Sequence, residues 1–350
     1  MTKSTIKPTT PPAPAQSSSN SWAIILVLLL SGFFIIYYGE RWLRNLMLYL
    51  SQANWARELV SSLPLAHAVA DRFVAGEDIA AAIATSRALQ NQGMLVTLDL
   101  LGEHTENAAD AFAARAKILD LLDAIHREGV KANVSVKLSQ LGVNIDPALA
   151  LDNMRYLLKR AAEYNNRIRI DMEDSSLTDT TLKIYRTLRD KDGFNNVGVV
   201  IQSYLYRSDE DLRQLVDEGA WVRLCKGAYA EPPNLAYPDK ADTDRKFIEH
   251  MQLLLSEKAR QNGVYLGMAT HDEKAIQATI DYARANNIAP DQFEFQMLHG
   301  IRRELQEQLT ADGYRMRVYV PYGTAWYPYF MRRLAERPAN LWFFISNFIK

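Results

Sequence analysis

From residue 94 onward, short apolar runs alternate with longer amphipathic stretches. The apolar runs have the length of strands, and they lie at 94–101, 133–139, 167–173, 197–203, 221–226, 265–270, 293–298 and 316–321. Stretches long enough for helices separate them, at 110–129, 148–164, 178–191, 208–218, 243–262, 272–286 and 302–312. Eight strand–helix units over about 250 residues are typical of a (βα)8 TIM-type barrel. An open, doubly wound sheet is the alternative, but it usually carries a G-x-G-x-x-G turn after its first strand, and the sequence has none there.

The two faces of these strands differ in polarity. One face is aliphatic, and we expect it to meet the outer helices; it includes Val134, Val136, Leu138, Ile168, Ile170, Met172, Val197, Val199, Ile201, Val318 and Val320. The other face carries Asp99, Lys137, Arg169, Asp171, Gln202, Arg223, Glu294, Gln296, Arg317 and Tyr319. Isolated buried charges are costly, so these groups must pair with one another or face a polar ligand. Barrel enzymes work at the carboxyl ends of their strands, which favours a site at Lys137, Asp171, Gln202, Arg223 and Tyr319 over ion pairs with a structural role alone.

The last strand runs into a glycine turn and then a helix, whose first turn suits Pro328. Four residues of that helix share one face at the spacing i, i+3, i+4 and i+7: Tyr329, Arg332, Arg333 and Glu336. Two adjacent guanidiniums can hold a carboxylate bidentately, and Glu336 can steady one of them. Tyr319 and Tyr329 supply flat walls. The pattern predicts a small, carboxylated, partly apolar ligand, with a solvated charged face as the alternative.

The first part of the chain has a different composition. Residues 1–21 are rich in Thr, Pro and Ser and predict a disordered tail. Residues 22–38 form a run of 17 residues without a charge, at the lower limit for a transmembrane helix. Arg41 and Arg44 follow the run, which favours a single-pass anchor that places the rest of the chain at the cytoplasmic face of the cell membrane. A buried helix and a start codon assigned too far upstream are the alternatives. Residues 39–92 predict a helical arm, with Asp78 capping a helix over 79–90, and residues 93–350 predict the barrel.

Composition narrows the chemistry. The 350 residues carry a net charge of −1, which does not favour nucleic acid as a partner. Cys225 is the only cysteine, so an intramolecular disulfide and a Cys-rich metal site are excluded; we interpret it as a small core residue. The six histidines show no H-E-x-x-H or similar ligand spacing, and no metal is predicted.

Eight motifs, each at the end of a predicted strand, occur in a characteristic order. They are D-L-L-G-E (99–103), V-K-L-S-Q-L-G (136–142), D-M-E-D-S (171–175), Q-S-Y-L-Y-R (202–207), R-L-C-K-G-A-Y (223–229), A-T-H-D (269–272), F-E-F-Q-M-L-H-G (293–300) and Y-V-P-Y-G…Y-F-M-R-R-L-A-E (319–336). With these motifs the chain, from about residue 45 to 348, resembles the proline dehydrogenases, most closely the short monofunctional bacterial type. The first 40 residues fall outside that pattern.

The resemblance implies a distorted barrel that binds FAD. It implies oxidation of L-proline to Δ1-pyrroline-5-carboxylate by hydride transfer to flavin N5, with electrons passed to a membrane quinone, as the first step of proline catabolism. A pyrroline-5-carboxylate dehydrogenase would then take the product. Another flavin barrel, similar to the folate reductases, and a non-catalytic membrane-tethered binding protein are the alternatives.

The resemblance also assigns roles to single residues. Arg332 and Arg333 resemble the pair that holds the proline carboxylate, and Lys137, oriented by Glu103, resembles a further contact to it. The remaining substrate residues by resemblance are Leu298, Tyr319 and Tyr329 around the ring, Asp171 beside that site, and Glu336 against the arginine pair. Tyr319 also matches a tyrosine that crowds out a ring hydroxyl, so hydroxyproline is expected to be a poor substrate.

For the cofactor, Arg223 resembles the arginine that bonds flavin N5, where a cation favours the reduced, anionic flavin. The other cofactor residues by resemblance are Gln202 at the isoalloxazine, Lys226, Gly227 and Ala228 near the pyrophosphate and ribose, and Thr270 and His271 further along the dinucleotide. A helix-cap role before Asp272 is the alternative for His271. No strong general base is evident for the substrate amine.

Overall fold

The computed structural model describes residue 49, residues 72–102 and residues 105–336, with the backbone alone for 332–336. Eight parallel strands close into a barrel in sequential order, with β1 pairing with β8. The strands are β1 (Leu95–Leu100), β2 (Ala132–Val136), β3 (Ile168–Ile170), β4 (Val197–Gln202), β5 (Trp221–Cys225), β6 (Tyr265–Ala269), β7 (Phe293–Leu298) and β8 (Met316–Tyr322). The (βα)8 barrel predicted from the alternation is therefore confirmed.

Helices precede, connect and follow the strands. They are α1 (Ile79–Asn91), α2 (Ala108–Arg127), α3 (Pro147–Glu163), α4 (Thr178–Arg186), α5 (Ser208–Asp217), α6 (Lys240–Leu254), α7 (Glu257–Gln261), α8 (Glu273–Ala285), α9 (Arg303–Ala311) and α10 (Trp326–Glu336). The predicted helix over 178–191 continues after α4 as a π turn, Thr187–Lys191. The predicted helix over 243–262 is two helices, because Ser256 begins a new one by accepting a hydrogen bond from the backbone N–H of Ala259 at 3.2 Å.

The aliphatic face of the strands meets the helices, as the alternation predicts. Val134 and Ile168 are fully buried, in one hydrophobic core with Leu121 of α2 and Leu157 of α3. The charged face therefore points into the barrel, where Arg169 and Glu294 are each only 1 % exposed. A regular barrel fills this interior with branched aliphatic residues. Here the interior is ionic, so partners for these charges decide how the barrel is stabilised.

The place beside β1 and β8, which in a regular barrel belongs to the helix after β8, is taken by α1. The side chain of Asp78 begins α1 by accepting from the N–H of Ala81 at 2.8 Å, as predicted. The segment before it is tied to the end of β8, since Ala75 N donates to the carbonyl of Pro321 at 2.9 Å. In α10, Phe330 is fully buried and contacts Phe73 of that same segment. The barrel therefore departs from the regular arrangement at the position beside β1 and β8.

Several features of the first part of the chain lie outside the described residues. These are the predicted tail (1–21), the uncharged run (22–38) and most of the predicted arm (39–92). Within the ranges that the structure covers, no helix combines the length and the apolar character needed to cross a bilayer.

Candidate active site

Asp171 connects Arg223 of β5 with Tyr319 of β8 at the mouth of the barrel. It follows β3 directly, and its Oδ1 accepts a hydrogen bond from Nη1 of Arg223 at 2.7 Å. Its other oxygen, Oδ2, accepts from the hydroxyl of Tyr319 at 2.7 Å. Burial first, and then the negative charges of Asp171 and Asp99, raise the pKa of Tyr319 well above its ordinary value. Tyr319 is therefore a neutral hydrogen-bond donor, and Asp171 holds both its hydroxyl and the Arg223 guanidinium in place.

Lys137 lies between two carboxylates at the same end of the barrel. Its Nζ lies 3.0 Å from Oδ2 of Asp99 and 3.9 Å from Oδ2 of Asp171. Asp99 is 1 % exposed, and burial raises its pKa although the charge of Lys137 opposes that shift. The pairing leaves the Lys137 side chain 12 % exposed. A cationic group therefore faces the mouth, where it can attract a carboxylate.

Arg223 is held on three sides. Besides Asp171, its Nε donates to Oε1 of Gln296 at 2.6 Å, and its Nη1 donates to Oγ of Ser135 at 3.1 Å. The guanidinium carbon lies 4.9 Å from the centre of the Tyr319 ring. Nη2 is buried and has no hydrogen-bond partner among the described residues. A buried guanidinium N–H without an acceptor is costly, so this atom is well suited to donate to a bound ligand.

Gln202 and Glu173 fix the loops around the mouth. The Gln202 side-chain amide donates to the carbonyl of Glu173 at 2.8 Å and accepts from the backbone N–H of Ala228 at 3.0 Å. The Glu173 carboxylate accepts from the backbone N–H of Ser139 at 2.9 Å. These bonds connect the loops that follow β2, β3, β4 and β5. Sequence reasoning missed Glu173 and Ser135, although both share the inward parity of their strands, which could have identified them.

The loops after β5 and β6 meet through Lys226. Its Nζ donates to Oδ2 of Asp272 at 2.6 Å and also to Asp244. Burial alone would raise the pKa of Asp272, but Lys226 holds it below its ordinary value. Gly227 has a φ of +142°, and a Cβ there would lie 2.4 Å from the ring of Tyr204, so glycine is required for this loop to pass beneath that ring.

The structure assigns the cap of α8 to the residue after His271, and the cofactor role of His271 stays a prediction. Asp272 is the residue that caps α8, since its side chain accepts from the N–H of Lys274 at 3.0 Å. Nε2 of His271 instead accepts from the backbone N–H of Leu298, at the end of β7, at 3.0 Å. Oγ1 of Thr270 accepts from the N–H of Asp272 at 3.1 Å. Both cofactor residues predicted after β6 are thus held by backbone contacts at the mouth.

The substrate residues on the helix side are described in part. Tyr329 in α10 is 6 % exposed, and Leu298 ends β7. The backbone of α10 includes Arg332, Arg333 and Glu336, but their side chains and the whole of Glu103 lie outside the described residues. The carboxylate clamp therefore stays a prediction.

Comparisons with known proteins agree with the motifs. A family model described as proline dehydrogenase matches residues 82–345. A protein of Deinococcus radiodurans named proline dehydrogenase is 44 % identical over 289 residues, which cover 81 % of this chain and 90 % of that protein. Proline dehydrogenase 1 of Bacillus subtilis (strain 168) is 40 % identical over 308 residues, which cover 88 % of this chain and 99 % of that protein.

A solved structure agrees with the fold. Proline utilization A from Bdellovibrio bacteriovorus, inactivated by N-propargylglycine, superposes with a TM-score of 0.73 at 26 % identity. The match covers 77 % of this chain and 33 % of that one, so this chain corresponds to about a third of the larger protein. The motifs at the strand ends, the closed barrel and these similarities lead to one assignment: the chain belongs to the proline dehydrogenase family of oxidoreductases.

Proposed function

We propose that this protein uses bound FAD to oxidise L-proline to Δ1-pyrroline-5-carboxylate. The observation that carries the proposal is the Asp171 bridge, which holds Arg223 and Tyr319 at 2.7 Å each. It places the residue predicted to meet the cofactor beside the residue predicted to meet the substrate. An oxidoreductase needs this adjacency, because electrons move between two molecules that must be in contact.

The residues at the mouth are compatible with a flavin. Arg223 keeps a buried Nη2 without an acceptor among the described residues, and a flavin ring nitrogen is a suitable acceptor. When bound, FAD supplies the two-electron acceptor for the hydride that leaves C5 of proline. The residues that we propose to hold the rest of the cofactor are Gln202, Lys226, Gly227, Ala228, Thr270 and His271. The backbone contacts of this group support a preformed binding surface.

The substrate would be oriented by charge at one end and by shape at the other. Lys137 would attract the carboxylate together with Arg332 and Arg333, while Tyr319, Tyr329 and Leu298 would enclose the ring. Orientation of the reacting carbon is then a large part of the rate enhancement. The sequence shows no strong general base for the amine proton, so we propose that solvent water takes it. The Tyr319 hydroxyl, held by Asp171, would leave little room for a ring hydroxyl, so we propose that hydroxyproline is a poor substrate.

The visible spectrum of the purified protein tests the main proposal. Addition of L-proline without oxygen should bleach a flavin spectrum and yield a product that reacts with o-aminobenzaldehyde. A flavin that NADH bleaches and proline does not would favour an enzyme similar to the folate reductases. A colourless protein that resists reconstitution with FAD would favour a non-catalytic binding protein.

The clamp can be tested apart from the cofactor. R333M should raise the KM for proline about 100-fold, since a charge-assisted pair contributes about 2–3 kcal/mol, while the flavin content stays unchanged. R245M is the matched control, because Arg245 is 54 % exposed and lies in α6. An unchanged KM in R333M would show that the clamp assignment is wrong.

We also propose that a membrane quinone accepts the electrons and that residues 22–38 anchor the protein at the cytoplasmic face of the membrane. A pyrroline-5-carboxylate dehydrogenase would take the product. The support is the uncharged run of 17 residues and the solubility of quinones in lipid. Deletion of residues 1–40 should move the protein from the membrane fraction to the soluble fraction and retain proline oxidation with a soluble dye. If the shortened protein does not fold, the run belongs to the core.

A further inference from the structure

The charges inside the barrel can be assigned to partners one by one. Arg317 pairs with Glu294 at 2.7 Å, Lys137 with Asp99 at 3.0 Å, and Arg223 with Asp171 at 2.7 Å. The inward-facing basic residue that these three pairs do not include is Arg169 of β3. Its Nε, Nη1 and Nη2 are buried and make no hydrogen bond within the described part of the chain. Arg169 is therefore the one cation of these four whose nitrogens are all buried without a hydrogen-bonded carboxylate in the part of the chain that the structure describes.

The space for this guanidinium is created by two glycines. The guanidinium carbon of Arg169 lies 3.8 Å from the centre of a Trp221 ring. A Cβ at Gly198 would lie 2.2 Å from that indole, and one at Gly267 would lie 2.3 Å from Nε2 of Gln296 and 3.4 Å from Nη1 of Arg169. The face of an indole attracts a cation, which offsets part of the cost of removing Arg169 from water. Its three nitrogens are buried, so bulk water screens this charge only weakly.

Arg169 lies next to the groups that hold Arg223. Gln296, which a side chain at Gly267 would meet together with Arg169, accepts from Nε of Arg223 at 2.6 Å. Burial first, and then the charge of Arg223, lower the pKa of Arg169 well below its ordinary value. A guanidinium nevertheless keeps its proton in proteins. The positive charge of Arg169 therefore makes the electrostatic potential at Arg223 more positive.

Packing alone does not account for an arginine at this position. A residue of similar length without a charge would fill the same space and avoid the desolvation cost, since replacement of buried ionic groups by apolar ones is often neutral or stabilising. The presence of a buried cation therefore suggests that it stabilises a negative charge that develops nearby. Reduction of a flavin next to Arg223 would create such a charge.

We propose that Arg169 is a positioning residue whose buried charge, acting through Arg223 and Gln296, stabilises the reduced form of the bound flavin; this inference rests on the proposed function. The role differs from that of Arg223, which would contact the cofactor. Arg169 makes the potential at that contact more positive. It should therefore affect the redox equilibrium more than the stability of the fold.

The test is the redox equilibrium of the flavin-loaded protein with a reference dye. In R169M, the ratio of reduced to oxidised flavin should fall about tenfold, which for a two-electron couple is about 30 mV. R169K keeps the charge and should stay within about threefold of the wild type. R167M is the matched control, because exposed Arg167 lies over the same Trp221 ring at 5.6 Å, and water screens its charge. Its ratio should equal that of the wild type.

A second measurement separates charge from packing. Urea unfolding of the flavin-free protein should give R169M a midpoint equal to or above that of the wild type. Equal redox ratios in R169M and the wild type would overturn the inference, and so would failure of both R169M and R169Q to fold. A wild-type protein that binds no flavin would instead refute the proposed function, and the inference about Arg169 with it.

Discussion

The ion pairs inside the barrel and those on its outer surface have similar geometry and different surroundings. Arg317 and Glu294 approach to 2.7 Å with side chains that are 12 % and 1 % exposed. On the surface of α6, Arg245 and Glu249 approach to 3.0 Å with side chains that are 54 % and 45 % exposed. Judged by distance alone, the two ion pairs would be expected to have nearly equal strength. The two pairs differ strongly in their access to water, which can replace a lost partner at the surface and is much less available inside the barrel.

The pKa of Glu294 shows what the inner pair achieves. Burial alone would raise this pKa, but the charge of Arg317 and its hydrogen bonds outweigh burial and lower it. Arg317 is therefore the main group that favours the ionised form of this buried carboxyl, with the charge of Arg169 acting in the same direction. Relative to a pair of apolar residues, the ion pair contributes little net free energy to folding. Removal of only one of its two partners is nevertheless strongly destabilising.

The largest effect is expected from breaking the inner pair. R317M leaves the buried carboxyl group of Glu294 without its paired cation, which should lower the free energy of unfolding by about 3–5 kcal/mol in urea titrations. The double variant R317M/E294Q should recover more than half of this loss. R315M is the control, since Arg315 is exposed and its nearest carboxylate, that of Asp291, is 4.0 Å away. A loss in R317M no larger than in R315M would contradict the comparison.

His299, a partly buried histidine with no carboxylate partner among the described residues, extends the comparison to pH. Burial first, and then the charge of Arg303, lower the pKa of His299 to about 4. The unfolded chain binds this proton near pH 6.5, so the folded state is destabilised as the pH falls from about 6.5 to about 4. We expect a loss of about 2 kcal/mol between pH 7 and pH 4.5, measured by urea unfolding at both values.

The matched variants decide whether His299 causes that loss. H299Q should remove most of the difference between the two pH values. H126Q serves as the control, because His126 is exposed on α2, and it should leave the difference in place. The same pH dependence in H299Q and the wild type would assign the effect to other groups.

A single neutral donor to a buried carboxylate should have an intermediate effect. Y319F removes the 2.7 Å hydrogen bond to Asp171. A bond to a charged group contributes about 1.5 kcal/mol or somewhat more, so kcat/KM for proline should fall about tenfold, and discrimination against hydroxyproline should fall with it. Y314F, just before the amino end of β8, should keep the kinetics of the wild type. Unchanged discrimination in Y319F would remove Tyr319 from the substrate wall.

The smallest effect belongs to the outer pair. R245M should change the free energy of unfolding by less than about 0.5 kcal/mol. In 1 M salt the difference from the wild type should vanish, because the screening length falls to about 3 Å. A loss of more than about 2 kcal/mol in the free energy of unfolding at low salt would mean that solvent exposure does not determine how much these ion pairs contribute to stability.

The sequence was sufficient to predict the barrel and the face on which its chemistry lies. Alternation has a period of two, so it assigns Lys137, Asp171 and Arg223 to one side of their strands without any knowledge of tertiary contacts. The motif resemblance then assigned roles that alternation could not. Asp78 was identified as a cap because a side-chain acceptor before a helix is a local signal.

Partner choice could not be read from the sequence. Alternation does not tell whether Lys137 pairs with Asp99 or Asp171, because the stagger between strands decides it. Contacts between loops give even less signal: the Glu231 carboxylate accepts from the backbone N–H of Ser175 at 2.7 Å across 56 residues. The break after Leu254 was missed for a related reason, since Ser256 reads equally well as a helix interior or as a cap.

The ion pair between Arg317 and Glu294 also constrains which substitutions the barrel interior can accept during evolution. Either residue alone is hard to exchange, whereas a simultaneous exchange for two apolar residues is tolerable. In an alignment of relatives, these two positions should therefore vary together or not at all. Positions 245 and 249 should vary independently of each other. This difference in covariation would identify the buried part of the barrel from sequences alone.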